Sequence, residues 1–129
     1  MSSWLNLTAI ALGGAAGAVC RYGITLAASA VPGGSSLWGT TIANVLGCAI
    51  LGGVIGWVEA GGVLAERASL ALRVGFLGSL TTFSTFAADS SLLAQQGRWG
   101  GSGIYVFANL VVGWAVLMIS CSWIKGWAG

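Results

Sequence analysis

Four long apolar runs decide what this chain can become before any other feature is weighed. They cover about residues 4–30, 37–57, 70–93 and 104–124. Each matches the roughly 20 mainly apolar residues that a helix needs to cross a bilayer. Turn formers separate them: "VPGGSS" at 31–36, "EAGG" at 59–62 and "QQGRWGGSG" at 95–103. The runs are expected to be helical, because an isolated strand in lipid leaves its backbone groups unpaired. Only 6% of the 129 residues are charged, against about a quarter in a soluble domain, so the chain cannot make a wettable surface. Residues 1–129 therefore read as one four-helix transmembrane domain. The first run is not a cleaved signal peptide, since no basic residue precedes it and its apolar stretch is too long.

Tryptophan gives an independent check on this count. Trp4, Trp38, Trp57, Trp99, Trp123 and Trp127 fall near segment ends, where amphipathic rings favour the headgroup layer, and only Trp114 falls inside a span. The three cysteines, Cys20, Cys48 and Cys121, have no metal-type spacing and read as buried free thiols. Histidine is absent, and no nucleophile–base pair or metal cluster is visible, so an enzyme is not expected.

Orientation follows lysine and arginine near the span ends. Arg67, Arg73 and Lys125 fall on one side, Arg21 and Arg98 on the other. So small a bias predicts insertion in both orientations, and opposite copies would pair about a two-fold axis in an isologous interface. The expected assembly is thus an antiparallel, dual-topology homodimer. Gly13-x-x-x-Gly17 and Gly52-x-x-x-Gly56 are read as close helix contacts.

The polar residues inside the spans carry the chemistry. They are Arg21 and Thr25 in the first, Thr40, Thr41 and Asn44 in the second, Ser79, Thr81, Thr82, Ser84, Thr85 and Asp89 in the third, and Tyr105, Asn109, Ser120 and Ser122 in the fourth. At membrane depth such groups face protein or water. Amides and hydroxyls donate hydrogen bonds without charge, which suits a pathway that must hold a small hydrated anion and then release it. Phe83 and Phe86 share a helix face, and an aromatic ring offers a positive edge to an anion; the same spacing also suits a core packing pair. Thr82, Thr85 and Asp89 form a second stripe. Gly75 and Gly78 loosen the third span, which is expected to break around Gly78–Thr81. Carbonyls freed by such a break coordinate cations, and two opposite copies would surround one alkali ion. Arg21 either reaches for the interface or draws anions towards a pore entrance.

In "GGAAGAVCRY" (13–22), "GTTIANVLG" (39–47), "RVGFLGSLTTFSTF" (73–86) and the Tyr105–Asn109–Gly113 spacing, the chain resembles the Fluc (CrcB) fluoride-channel family along its whole length. That resemblance implies antiparallel dual-topology homodimers of four-helix subunits in the inner (plasma) membrane, with two fluoride pores per dimer. It also implies passive, selective export of fluoride from the cytoplasm. By position, it makes Phe83 and Phe86 pore-lining rings, Asn44 the pore asparagine and Tyr105 the pore tyrosine. Ser84 and Thr85 become a hydroxyl track, Arg21 a vestibule residue, and the carbonyls of Gly78 and Thr81 ligands to a central structural sodium ion. Thr40 and Asn109 complete the expected pore lining. Asp89 stands where many relatives carry glutamate, and Asn109 where serine is frequent. A small multidrug-type proton antiporter, the competing transporter class, would need a deep acid in the first span, which is absent. A structural subunit without transport is the other alternative.

Overall fold

The computed structural model describes residues 2–129, with Ser2 described in its backbone alone. The protein is all-helical, with four segments long and apolar enough to cross a membrane: Ser3–Ala30, Ser36–Glu59, Glu66–Gln95 and Trp99–Ala128. The first two are single helices, α1 (Ser2–Ala30) and α2 (Ser36–Glu59). The third comprises α3 (Glu66–Ser69), wider π-type turns over Leu70–Leu77, α4 (Gly78–Leu80) and α5 (Phe83–Gln95). The fourth comprises α6 (Trp99–Phe107), π-type turns over Ala108–Val112, and α7 (Gly113–Ala128).

Each connection turns on one left-handed glycine: Gly33 (φ 76°), Gly61 (φ 96°) and Gly97 (φ 74°), a conformation that side chains with a Cβ resist. The third connection is shorter than the sequence suggests. Residues 99–103, expected as loop because of their glycines, are helical, and the Ser102 hydroxyl donates to the Ser90 carbonyl of α5 at 2.8 Å. A helix that pairs its own backbone outweighs poor glycine propensity where water is scarce.

Both small-residue repeats are packing seams. A Cβ on Gly52 or Gly56 would run into the backbone carbonyls of Leu117 and Cys121, and one on Gly113 would meet Cys48 Sγ at 3.5 Å. With Asn44 bonded to Asn109, α2 and the fourth span keep a constant offset of 65 residues through four rungs. Four-residue steps on both partners describe parallel ridges that interdigitate. On the other side, a Cβ on Gly13 or Gly17 would meet the carbonyls of Ala71 and Phe76. Here a four-residue step on α1 faces a five-residue step on the third span, which is the extra residue that a π-type turn admits.

The apolar core is small: Ala43, Leu77 and Leu80 form one cluster, and Phe86, Leu93 and Tyr105 another. Much of the chain's apolar surface lies outside these clusters, all seven tryptophans included. Cys48 and Cys121 are half-buried, but Cys20, expected to be buried, is exposed on the outer face of α1. All three thiols are free.

Candidate functional site

The polar residues of the second, third and fourth spans gather where the third span leaves helical geometry. Thr81 (φ −84°, ψ 153°) and Thr82 (φ −149°, ψ 114°) are extended. A helix that stops leaves its last carbonyls and the next helix's first N–H groups without ladder partners, and each must find another.

Side chains meet most of these needs. Thr81 donates from both its N–H and its hydroxyl to the Leu77 carbonyl, at 3.0 and 2.8 Å. The Thr82 N–H donates to Asn44 Oδ1 at 2.7 Å, and Asn44 Nδ2 donates to the Thr82 carbonyl at 3.2 Å. One amide side chain thus clasps both backbone groups of one residue. Thr82 Oγ1 accepts the Thr85 N–H at 3.3 Å, an N-cap for α5. Its own proton goes to Thr85 Oγ1 at 3.0 Å, and among the described residues the Thr85 hydroxyl proton has no acceptor, so it can turn into the adjoining cavity.

Arg21 serves the same junction. Its Nε donates to the Ser79 carbonyl at 3.0 Å, one of the last carbonyls before the interruption. A cation there also opposes the negative end of the helix dipole. Replacing Arg21 with leucine should lower stability by about 1.5–3 kcal/mol, the range for a hydrogen bond from a charged donor. Thermal unfolding followed by circular dichroism checks this, and an unchanged midpoint would remove Arg21 from the junction. In this geometry Arg21 does not simply reach for the interface.

The carbonyls of Gly78 and Thr81 are different. Among the described residues no backbone N–H outside the regular ladders reaches either oxygen, and Gly78 is exposed. Two carbonyl oxygens three residues apart, at the edge of the extended backbone, are ligands of the kind a hard cation takes.

Phe83 and Phe86 meet edge to face, ring centroids 5.5 Å apart at 65°. Their surroundings are unequal. Phe86 is 5% exposed and packs against Tyr105, with centroids 5.7 Å apart, whereas Phe83 is 72% exposed. A groove of about 310 Å³ runs past both rings, Asn44, Thr82, Asn109 and Arg73. A second cavity, of about 300 Å³, holds Arg21, Thr40, Thr82, Thr85 and Asp89, so the Thr82–Thr85–Asp89 stripe does line one space. Thr82 borders both cavities. Tyr105 donates from its hydroxyl to Asp89 Oδ2 at 3.1 Å, and buried Thr40 donates to the Ser36 carbonyl at 3.3 Å.

The sequence reading therefore finds most of this cluster but not all. Ser84 is exposed and lines neither cavity. Thr41, not among the expected lining, accepts from Asn109 Nδ2 at 3.1 Å. Its one sequence signal is its place three residues, about one turn, before Asn44 on the polar start of α2.

A helical multi-pass membrane protein that gathers hydrogen-bonding side chains around the extended Thr81–Thr82 backbone is the class this arrangement defines. Within it, the chain belongs to the family described as CrcB-like protein, Camphor Resistance (CrcB), whose pattern matches residues 8–121. It is 39% identical to a protein of Rhodopirellula baltica, with 95% of each chain covered. It is 40% identical to one of Salinibacter ruber, covering 83% of this chain and 80% of the relative. It is 46% identical to one of Shewanella loihica, covering 83% and 82%. Each of these relatives is named a fluoride-specific ion channel, FluC, which is a transport class and not an enzyme class.

Proposed function

We propose that this chain is a fluoride-selective passive channel that exports fluoride from the cytoplasm across the inner membrane. It works as an antiparallel, dual-topology homodimer with two pores. The observation that carries the proposal is the edge-to-face Phe83–Phe86 pair beside the extended Thr81–Thr82 backbone. The relatives' names support it. The interruption lies mid-membrane, and the rings' positive edges, the free Thr85 proton and, in the assembled dimer, the Ser84 hydroxyl replace the water that a small anion sheds. Asn44, Asn109, Tyr105 and Thr40 border the path, and Arg21 faces the vestibule.

A second copy accounts for two features that one copy leaves open. Phe83 is exposed although its neighbour Phe86 is buried, and in the dimer it faces the partner. The Gly78 and Thr81 carbonyls, joined by the partner's equivalents across the two-fold axis, would hold one sodium ion. That ion would supply positive charge to these carbonyls and fix the two copies together.

Proteoliposomes loaded with fluoride and chloride test the proposal. A fluoride electrode is expected to record rapid efflux once the membrane potential is released, while chloride stays inside. Equal loss of both anions would end the selectivity reading, and no loss of either would end the channel reading. Phe83→Ile is the sharper variant, because the exposed ring contributes little to its own chain's core. Loss of one aromatic edge contact, about 0.5–1.5 kcal/mol, should slow fluoride flux about 2- to 10-fold with dimer mass unchanged.

A further inference from the structure

We infer that Asn109 is a positioning residue that acts through Asn44 to hold Thr82 in its extended conformation. The protons of two amides fix the arrangement. Thr82 N–H needs an acceptor, and Asn44 Oδ1 is 2.7 Å away, which fixes the orientation of the Asn44 amide. Its Nδ2 then carries two protons towards two acceptors, the Thr82 carbonyl at 3.2 Å and Asn109 Oδ1 at 2.8 Å. Asn109 is fixed in turn. Its Nδ2 donates to the Tyr105 carbonyl at 2.9 Å and to Thr41 Oγ1 at 3.1 Å. The Thr41 proton goes back to the Leu37 carbonyl at 3.0 Å.

The result is a one-way chain of donors: Thr82 to Asn44, Asn44 to Asn109, Asn109 to Thr41, Thr41 to Leu37. No amide in it can flip without setting donor against donor and acceptor against acceptor. Hydrogen bonds in such a chain polarise and strengthen one another. Neither amide keeps a proton for a passing anion, so Asn109 shapes the path without donating to it. Asn109 is 8% exposed and lies in the π-type turns over Ala108–Val112, a local widening of the kind that recurs where a helix must aim one side chain.

Site-resolved amide hydrogen exchange on the full-length protein in lipid nanodiscs tests this, with fluoride efflux measured in parallel. Asn109→Leu keeps the γ-branched outline of the side chain, adds some volume and removes the whole link. It is expected to speed exchange of the Thr82 amide about tenfold or more. The Ser69 amide, bonded to the Ala65 carbonyl at 2.9 Å away from the cluster, should not change. In an Asn44→Ala background the same substitution should add less than about twofold to exchange or to flux, because residues that act through one another are not additive. An unchanged Thr82 amide, or effects that multiply independently, would overturn the inference. Should Asn109→Leu fail to fold, Thr41→Val removes one anchor and keeps shape, and about threefold faster Thr82 exchange is expected, with no change again overturning it. Only the flux arm rests on the channel reading. A wild-type protein that passes no fluoride would end that reading and leave the Thr82 expectation standing.

Discussion

Asn44→Leu is expected to abolish fluoride efflux and to cost on the order of 2–6 kcal/mol of stability. The figure follows from two backbone groups. Leucine has nearly the shape of asparagine but can neither accept from the Thr82 N–H nor donate to its carbonyl. A buried donor or acceptor left unpaired costs about 1–3 kcal/mol, and more in lipid, where no water stands in. Asn109 Oδ1 loses its donor as well. The extended backbone at Thr82 then has less reason to persist, and with it goes the placement of Phe83 and Thr85 at the start of α5. Denaturant unfolding in detergent measures the stability loss, and the fluoride electrode measures flux. A variant with wild-type stability would show that the clasp is dispensable, whatever its flux.

Gly17→Ala should destabilise the protein by about 1–3 kcal/mol, against the sign that helix propensity alone gives. In an isolated helix alanine is better than glycine by about 0.5–1 kcal/mol. At Gly17, however, the new methyl group would overlap the backbone carbonyl of Phe76, and a carbonyl cannot rotate away as a side chain can. The helices must part, and the contact lies five residues ahead of Thr81. Gly23→Ala, in the same helix with no atom of this chain within 4 Å of the new group, is the matched control. It should leave thermal unfolding unchanged or raise its midpoint slightly. Equal effects at the two positions would show that close approach is not what selects glycine at 17.

The four spans were legible because bilayer thickness imposes a length that survives any detail of packing. The glycine repeats were legible for a related reason, since small residues four apart mark a surface where backbones meet. The Fluc resemblance named the family correctly from "TTFSTF" and its companions. What hydropathy missed lies in single-residue geometry. Residues 99–103 looked like loop because glycine is a poor helix former, yet lipid leaves the backbone few alternatives. Cys20 looked buried because its neighbours are apolar, but in a membrane an apolar face points outward as readily as inward. Asn44 and Asn109 read as amides with protons on offer. Asn44 gives its protons to residues 38 and 65 away in sequence, and Asn109 gives one to the Tyr105 carbonyl a turn back and one to Thr41, 68 residues away; the long-range partners leave no local signature. Ser84 sits one residue from Phe83 and Thr85, but a 100° step per residue turns it out of both cavities.

The mismatch of steps along the seam of α1 and the third span has a consequence for how this protein tolerates change in length. Gly13 and Gly17 lie four apart and face carbonyls of residues five apart, Ala71 and Phe76. The third span therefore stores one surplus residue ahead of Thr81. Removing a residue there can be absorbed by tightening the coil to ordinary α pitch, with Thr81, Thr82 and Phe83 left in register. The same deletion between Gly13 and Gly17 has no such reservoir and would slide every later contact of α1 along its neighbour. Length variants should thus be permitted on one side of the seam and forbidden on the other.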